Sequence, residues 1–153
     1  MKSIDIRPAY ADDFTAMHAL NLQSFREAWS EDAMRGALLG GFDVLVAAHN
    51  HVLCGYILSC DTVDEVHIMQ LAVHPAWQRQ GIAACLSKTL LQIKSTMACM
   101  LLELRASNGA ALSLYQGLGF FVCGERANYY TARGVHDAEN AILMRLNMEG
   151  KHE

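Results

Sequence analysis

The run Gln78-Arg79-Gln80-Gly81-Ile82-Ala83 has the residue types of an anion cradle. It follows an apolar segment, Val66 to Val73, and a break at Pro75, and it precedes Ile82, Cys85, Leu86, Thr89, Leu90 and Ile93 at helical spacing. The first turn of a helix has backbone N–H groups without intrahelical partners, and the summed peptide dipoles place partial positive charge there. A pyrophosphate is a natural ligand for such a terminus. Gly81, lacking a Cβ, would let it approach the backbone, and the small Ala83 and Ala84 keep bulk out of the first turn. A single glycine at a helix start also occurs for structural reasons alone. The spacing excludes two commoner phosphate loops, since neither G-x-x-x-x-G-K-S/T nor G-x-G-x-x-G is present here.

Glu103 is the second residue with chemical potential. It interrupts Met100-Leu-Leu-Glu-Leu-Arg-Ala, a strand apolar on both sides of it, and apolar surroundings would make its carboxylate a stronger proton acceptor. The plain alternative is an ion pair with Arg105, two residues on and therefore on the same strand face. Tyr115 falls on an apolar helical stripe with Ala111, Leu112 and Leu118, where an aromatic ring is ordinarily core. Tyr129 and Tyr130, after Asn128, either clamp a ligand or cover a sheet edge.

The elements that must position these residues follow from the remaining patterning. Ile4 and Ile6 alternate with polar residues in a first strand that Pro8 ends, and Asp12-Asp13 open a helix with Phe14, Met17, Asn21 and Phe25 on one stripe. Ser30 caps a second helix. Strands are expected near 43–48, 52–60 and 65–73, a helix at about 81–95, and a buried strand at 100–106. Asn108 or Ser107 caps the next helix, which Gly117 and Gly119 end. Phe120 to Glu125 and Ala138 to Leu146 form the last strands, separated by a loop from Asn128 to His136. The order is βααβββαβαββ, an α+β chain forming a single domain over 1–153.

The hexamer at 78–83 resembles motif A of the GNAT N-acetyltransferases, Q/R-x-x-G-x-G/A, and the element order is that of the same family over nearly the whole chain. Together with Glu103-Leu-Arg-Ala-Ser-Asn108, Leu114-Tyr115, Leu118-Gly119-Phe120 and Asn128-Tyr129-Tyr130, it is similar to the branch formed by the bacterial ribosomal-protein-alanine N-acetyltransferases. The resemblance implies the GNAT acyltransferase fold, a mixed central sheet of about seven strands with splayed fourth and fifth strands and about four helices. It implies acetyl-CoA as co-substrate, transferred directly to an amine. Glu103 would be the general base and Tyr115 the acid that protonates the departing thiolate. Backbone groups of Leu71, Ala72 and Val73 would hold the pantetheine arm and thioester. Arg79, Gln80, Gly81, Ile82, Ala83 and Ala84 would form the pyrophosphate loop, with Asn108 a further cofactor contact. Ala84 departs from the basic residue of close relatives and removes one phosphate partner. Tyr129 and Tyr130 would bind the acceptor, a protein N-terminus, and in this branch that is the N-terminal alanine of a small-subunit ribosomal protein. The segment Gly134 to Ala141 is a few residues longer than the corresponding turn in such relatives.

The chemistry of the acceptor fits one modest base. Near neutral pH roughly a fifth of α-amines are already neutral, against about one lysine in a thousand. An alternative keeps the reaction and changes the acceptor to a polyamine, an aminoglycoside or an amino acid, with Asp61, Asp64 and Glu65 as the acidic cluster a polyamine would need. A non-catalytic acyl-CoA sensor is a third reading.

Composition narrows the partners. The chain has 153 residues, 52% hydrophobic and 18% charged, with formal net charge −4 and a pI near 5.9, so no global positive field attracts nucleic acid or an anionic membrane. No stretch approaches the roughly 20 apolar residues of a membrane span, and a cytoplasmic location is expected. Five cysteines, at 54, 60, 85, 99 and 123, lack C-x-x-C spacing and read as reduced core thiols. Seven histidines include the pair His49-Asn50-His51, read as flanking a hairpin turn; no Cys, His or carboxylate group has the spacing of a structural zinc site, and no metal is expected.

Overall fold

A computed structural model of the chain describes residues 3–130 and 138–148. Among these it has seven strands and four α-helices: β1 (Asp5–Pro8), α1 (Phe14–Ser24), α2 (Glu31–Leu39), β2 (Asp43–His49), β3 (Val52–Asp61), β4 (Glu65–Val73), α3 (Ile82–Ile93), β5 (Cys99–Arg105), α4 (Gly109–Gly117), β6 (Phe121–Tyr130) and β7 (Glu139–Asn147). The strands form one mixed sheet in the order β1-β2-β3-β4-β5-β7-β6. Most pairings are antiparallel, but β4 runs parallel to β5, in a ladder from Glu65↔Cys99 to His67↔Leu101; β4 itself continues to Val73. This is the mixed sheet expected, with β4 extending beyond its ladder with β5.

By contact density the chain divides into two compact units, Met1–Asp61 with Met69–Lys94, and Thr62–Ile68 with Ser95–Glu153. The core of the first is built from Met17 and Leu20 of α1, Met34 and Ala37 of α2, and Val44, Val46, Tyr56, Leu58 and Ala72 of the strands. Ser30 caps α2 as expected, its Oγ accepting from the Ala33 N–H at 3.1 Å. Asp13 does not cap α1 with its side chain. Its carboxylate turns back to the Arg7 guanidinium at 2.8 Å and to the Tyr10 N–H at 2.6 Å, closing a 3-10 turn over Ala11–Asp13 that leads into the helix. The β2–β3 hairpin turns on Asn50 and His51, both with positive φ (47° and 72°), as a two-residue turn of the primed type requires. His49 then accepts a packing role, its ring 5.3 Å from that of Trp77.

In the second unit β5, β7 and β6 pair antiparallel in register, Glu103↔Leu143↔Gly124 and Arg105↔Ala141↔Arg126. Leu102, Leu104, Ala141, Met144 and Leu146 are buried. The expected loop from Asn128 begins too early, because β6 continues to Tyr130 past an irregularity between Arg126 and Tyr130. Asn128 takes φ +51° there, its N–H donates to Asn140 Oδ1 at 2.9 Å, and Asn140 Nδ2 donates to Glu125 Oε1 at 2.8 Å. Side-chain amide bonds therefore replace ladder bonds and let the strand resume. Of the longer turn at 134–141, residues 134–137 lie outside the described residues.

The thiols are not all core. Cys54 and Cys99 are buried, but Cys85 and Cys123 are exposed, the latter because β6 is the sheet's outermost strand. Burial pushes the Cys99 thiol up, away from the thiolate form.

Candidate active site

In the first unit the anion cradle and the end of β4 are built as one piece. Gly55 of β3 lies so close to β4 that a Cβ there would meet the Ala72 carbonyl oxygen at 2.7 Å. The Cys54 carbonyl accepts from the His74 N–H at 2.8 Å, which closes β3 onto the residue after β4. A 3-10 turn, Pro75–Trp77, then redirects the chain, with Gln78 Nε2 donating back to the Val73 carbonyl at 3.1 Å. Arg79 (φ +64°) and Gly81 (φ +81°) both adopt the left-handed conformation, and Gly81 becomes the N-cap of α3. A Cβ at Gly81 would meet nothing within 4 Å, so the space over the first turn is open. Glycine is needed for its backbone conformation, and the helix donors of Ile82, Ala83 and Ala84 face an accessible terminus. This arrangement fits a pyrophosphate. Gln78 thus ties the end of β4 at Val73 to the start of the loop Arg79 to Ala84.

Gln70, on the same stretch of β4, has a role that its sequence context conceals. Its Oε1 accepts from the Tyr56 phenol at 2.8 Å and from Asn21 Nδ2 at 2.7 Å, and Asn21 Oδ1 accepts from the Trp29 N–H at 2.8 Å. All three side chains are buried, and burial pushes the Tyr56 phenol up to about 12, holding it as a neutral donor. The sequence signs of this network are a polar residue in the apolar run Ile68-Met69-Gln70-Leu71 and Asn21 on the apolar stripe of α1.

In the second unit the apolar flanks of Glu103 do not surround it. Leu102 and Leu104 point to the opposite face, as strand alternation dictates, and the Glu103 side chain is 30% exposed on the face it shares with Leu101 and Arg105. Arg105 pairs with Glu139, Nη1 to Oε2 at 3.1 Å. The cation beside Glu103 is Arg126 of β6, Nη2 to Oε1 at 3.4 Å. Sequence reasoning missed Arg126, whose only sign was its place two residues before Asn128-Tyr-Tyr.

The two tyrosines sit beside these arginines. The Arg126 guanidinium lies 5.2 Å from the Tyr129 ring centre and that of Arg105 4.4 Å from the Tyr130 ring centre, while the tyrosines meet edge to face at 5.2 Å. Tyr129 remains half exposed. Glu139 also accepts from the Ser107 N–H at 3.1 Å, and hydrogen bonding from the Ser107 side chain, then from that N–H and Arg105, holds its carboxyl below the usual range. Asn108 caps α4, its Oδ1 accepting from the Ala111 N–H at 3.2 Å, which leaves its amide NH2 as the donor it could offer a ligand. Tyr115 is buried at 2% exposure and packs edge-on against Phe120, ring centres 5.2 Å apart.

Among the described residues no group of three or more His, Cys, Asp or Glu side chains could hold a metal ion, and no helix is long and apolar enough to cross a membrane.

Comparison with known proteins gives these features a family. Residues 10–135 match the acetyltransferase (GNAT) domain. The [ribosomal protein bS18]-alanine N-acetyltransferase of Escherichia coli K12 is 30% identical over 136 residues, covering 88% of this chain and 90% of its own. The crystal structure of the ribosomal-protein-S18-alanine N-acetyltransferase from Escherichia coli superposes with a TM-score of 0.88 at 28% identity, over 95% of this chain and 94% of that one. Arabidopsis thaliana NAA60, solved in complex with acetyl-CoA, shares the fold at a TM-score of 0.85 and 18% identity, over 97% of this chain and all of its own. An open α3 terminus behind a left-handed Gly81, on a seven-stranded sheet of this order, thus has its explanation: the chain belongs to the GNAT acetyltransferase family and is an acetyl-CoA-dependent N-acetyltransferase.

Proposed function

We propose that the enzyme acetylates a protein N-terminal α-amine, and that its acceptor is the N-terminal alanine of a small-subunit ribosomal protein. The observation that carries this reading is the similarity, over 88% of the chain, to a relative whose name states that acceptor. Glu103 is the general base: one carboxylate oxygen faces Arg126, and the other is free to take a proton from the acceptor ammonium, directly or through one water. Tyr115 is the acid that returns a proton to the coenzyme A thiolate as the amide forms. Leu71, Ala72 and Val73 hold the thioester and pantetheine arm through backbone groups, Arg79 to Ala84 bind the pyrophosphate at the α3 terminus, and Asn108 offers its amide NH2 to the cofactor. Tyr129 and Tyr130 receive the acceptor's first residues.

Two of the three acidic residues that would favour a polyamine have partners of their own. Asp61 accepts from Lys94 Nζ at 2.7 Å, and Glu65 lies 3.6 Å from His67 Nε2. The test follows thiol release from acetyl-CoA with three acceptors: a peptide with a free N-terminal alanine, its N-blocked form with an internal lysine, and spermidine. Release with the free α-amine alone is expected; release with spermidine alone would replace the proposed acceptor.

A further inference from the structure

Six side chains of the second unit form a continuous series: Glu139, Arg105, Tyr130, Tyr129, Arg126 and Glu103. Carboxylate pairs with guanidinium at each end, at 3.1 and 3.4 Å, each guanidinium lies against a ring, and the two rings meet in the middle. Its ends differ. Arg105 and Glu139 are nearly buried, with side-chain exposures of 15% and 17%, and Glu139 is further fixed by the Ser107 N–H. Arg126 and Glu103 are open, at 54% and 30%. One end is thus anchored, and the other presents a carboxylate and a half-exposed tyrosine to solvent.

Register explains how Arg126 reaches Glu103. Glu103 faces Gly124 across Leu143 of β7, and Arg126, one pleat further along β6, faces Arg105 across the small Ala141. Arg126 leans diagonally over β7 to reach Glu103, passing where Gly124 and Ala141 add little side-chain bulk beside Leu143. The Asn128 irregularity, held by Asn140, then directs Tyr129 to the same guanidinium.

We propose that Arg126 is a positioning residue for the acetyl transfer. It engages Oε1 of Glu103 from one side and the Tyr129 ring from another, so that Oε2 is turned to the acceptor amine and the acceptor-binding ring is held in fixed relation to the base. The inference rests on the reading of Glu103 as the base. It assigns no direct contact between Arg126 and the reacting atoms. A solvent-exposed ion pair adds little to folding stability, so removing Arg126 should change the reaction far more than the fold.

The test is a double-mutant cycle with acetyl-CoA and a free N-terminal alanine peptide, using wild type, Arg126→Ala, Arg126→Lys, Glu103→Gln and the Arg126→Ala/Glu103→Gln pair, with a melting curve for each. Arg126→Ala is expected to lower kcat about tenfold, leave KM for acetyl-CoA unchanged, and lower kcat less than twofold further when Glu103 is already glutamine. Arg126→Lys, which keeps the charge without the planar fork, is expected to recover part of the loss. Losses that multiply in the double variant, or an Arg126→Ala enzyme at the full rate, would overturn the proposal. A Glu103→Gln enzyme at the wild-type rate would instead refute the base, and the role of Arg126 with it.

Discussion

Replacing Gly55 by alanine tests the close approach on which the β4 end of the site depends. The added Cβ would lie 2.7 Å from the Ala72 carbonyl oxygen and 3.4 Å from both Cα and Cγ2 of Val73. Ordinary separation between such atoms is about 3.5 Å, so β3 and β4 must part locally by roughly 0.8 Å. The obstacle is backbone rather than the tip of a flexible side chain, and Ala72 is buried, so the strain cannot be relieved by a rotamer change. Overpacking of this kind costs about 1–3 kcal/mol, against about 0.4–1 kcal/mol that alanine returns by restricting the unfolded chain. At the middle of both ranges the net loss is about 1.3 kcal/mol, a melting temperature lower by roughly 3–5 °C in a chain of this size. Because Ala72 and Val73 are proposed to hold the thioester, KM for acetyl-CoA should rise as well. Gly36 provides the control: it lies within α2 with nothing within 4 Å of its Cβ position, and Gly36→Ala should raise the melting temperature through helix propensity. Thermal melts and initial rates on both variants decide the matter. A Gly55→Ala enzyme as stable as wild type, with unchanged KM, would refute the reasoning.

Three further outcomes are expected. Tyr115→Phe should lower kcat about a hundredfold with little change in KM for acetyl-CoA, measured by thiol release where chemistry limits the rate. Asn21→Ala leaves Gln70, Tyr56 and the Trp29 N–H each short of a buried partner and should cost about 2 kcal/mol or more in a urea titration. The Asp13 carboxyl is held below its ordinary 3.8 by its hydrogen bonds to Arg7, so it contributes stability above that value and loses it as pH falls through the lower folded one. Melting curves between about pH 5 and 2 should show Asp13→Asn less stable than wild type at the upper end and converging with it at the lower.

The order of elements was legible because each boundary carries a local signal. Pro8 and Pro75 stop strands, Ser30 and Asn108 cap helices through bonds to residues three positions on, and the apolar period changes from two to 3.6 at Ile82. The positions of Gly81 and Glu103 were legible for the same reason, since motif and flanking strand lie within a few residues of each other. What escaped depends on pairing between distant segments. Asn21 meets Tyr56 and Gln70 across separations of 35 and 49 residues, and no local pattern marks a polar contact of that range. Strand alternation puts Glu103 and Arg105 on one face, which makes an ion pair between them the plain alternative to a base. The β5-β7-β6 register gives Arg105 to Glu139 instead and brings Arg126 over β7 to Glu103. Asn128 favours a loop by its residue type, whereas the Asn140 amide holds it as an irregularity within a continuing strand. Flanking leucines suggested an apolar shell for Glu103, although adjacent strand residues face opposite ways.

The most direct measurement uses one peptide that carries both a free N-terminal alanine and an internal lysine, incubated with the enzyme and acetyl-CoA and fragmented in a mass spectrometer. The acetyl group is expected on the α-amine alone, with the mass increase in every fragment containing the first residue and in none that lacks it. An acetyl group on the lysine side chain would contradict the account, and so would an unmodified peptide in the presence of enzyme that binds acetyl-CoA.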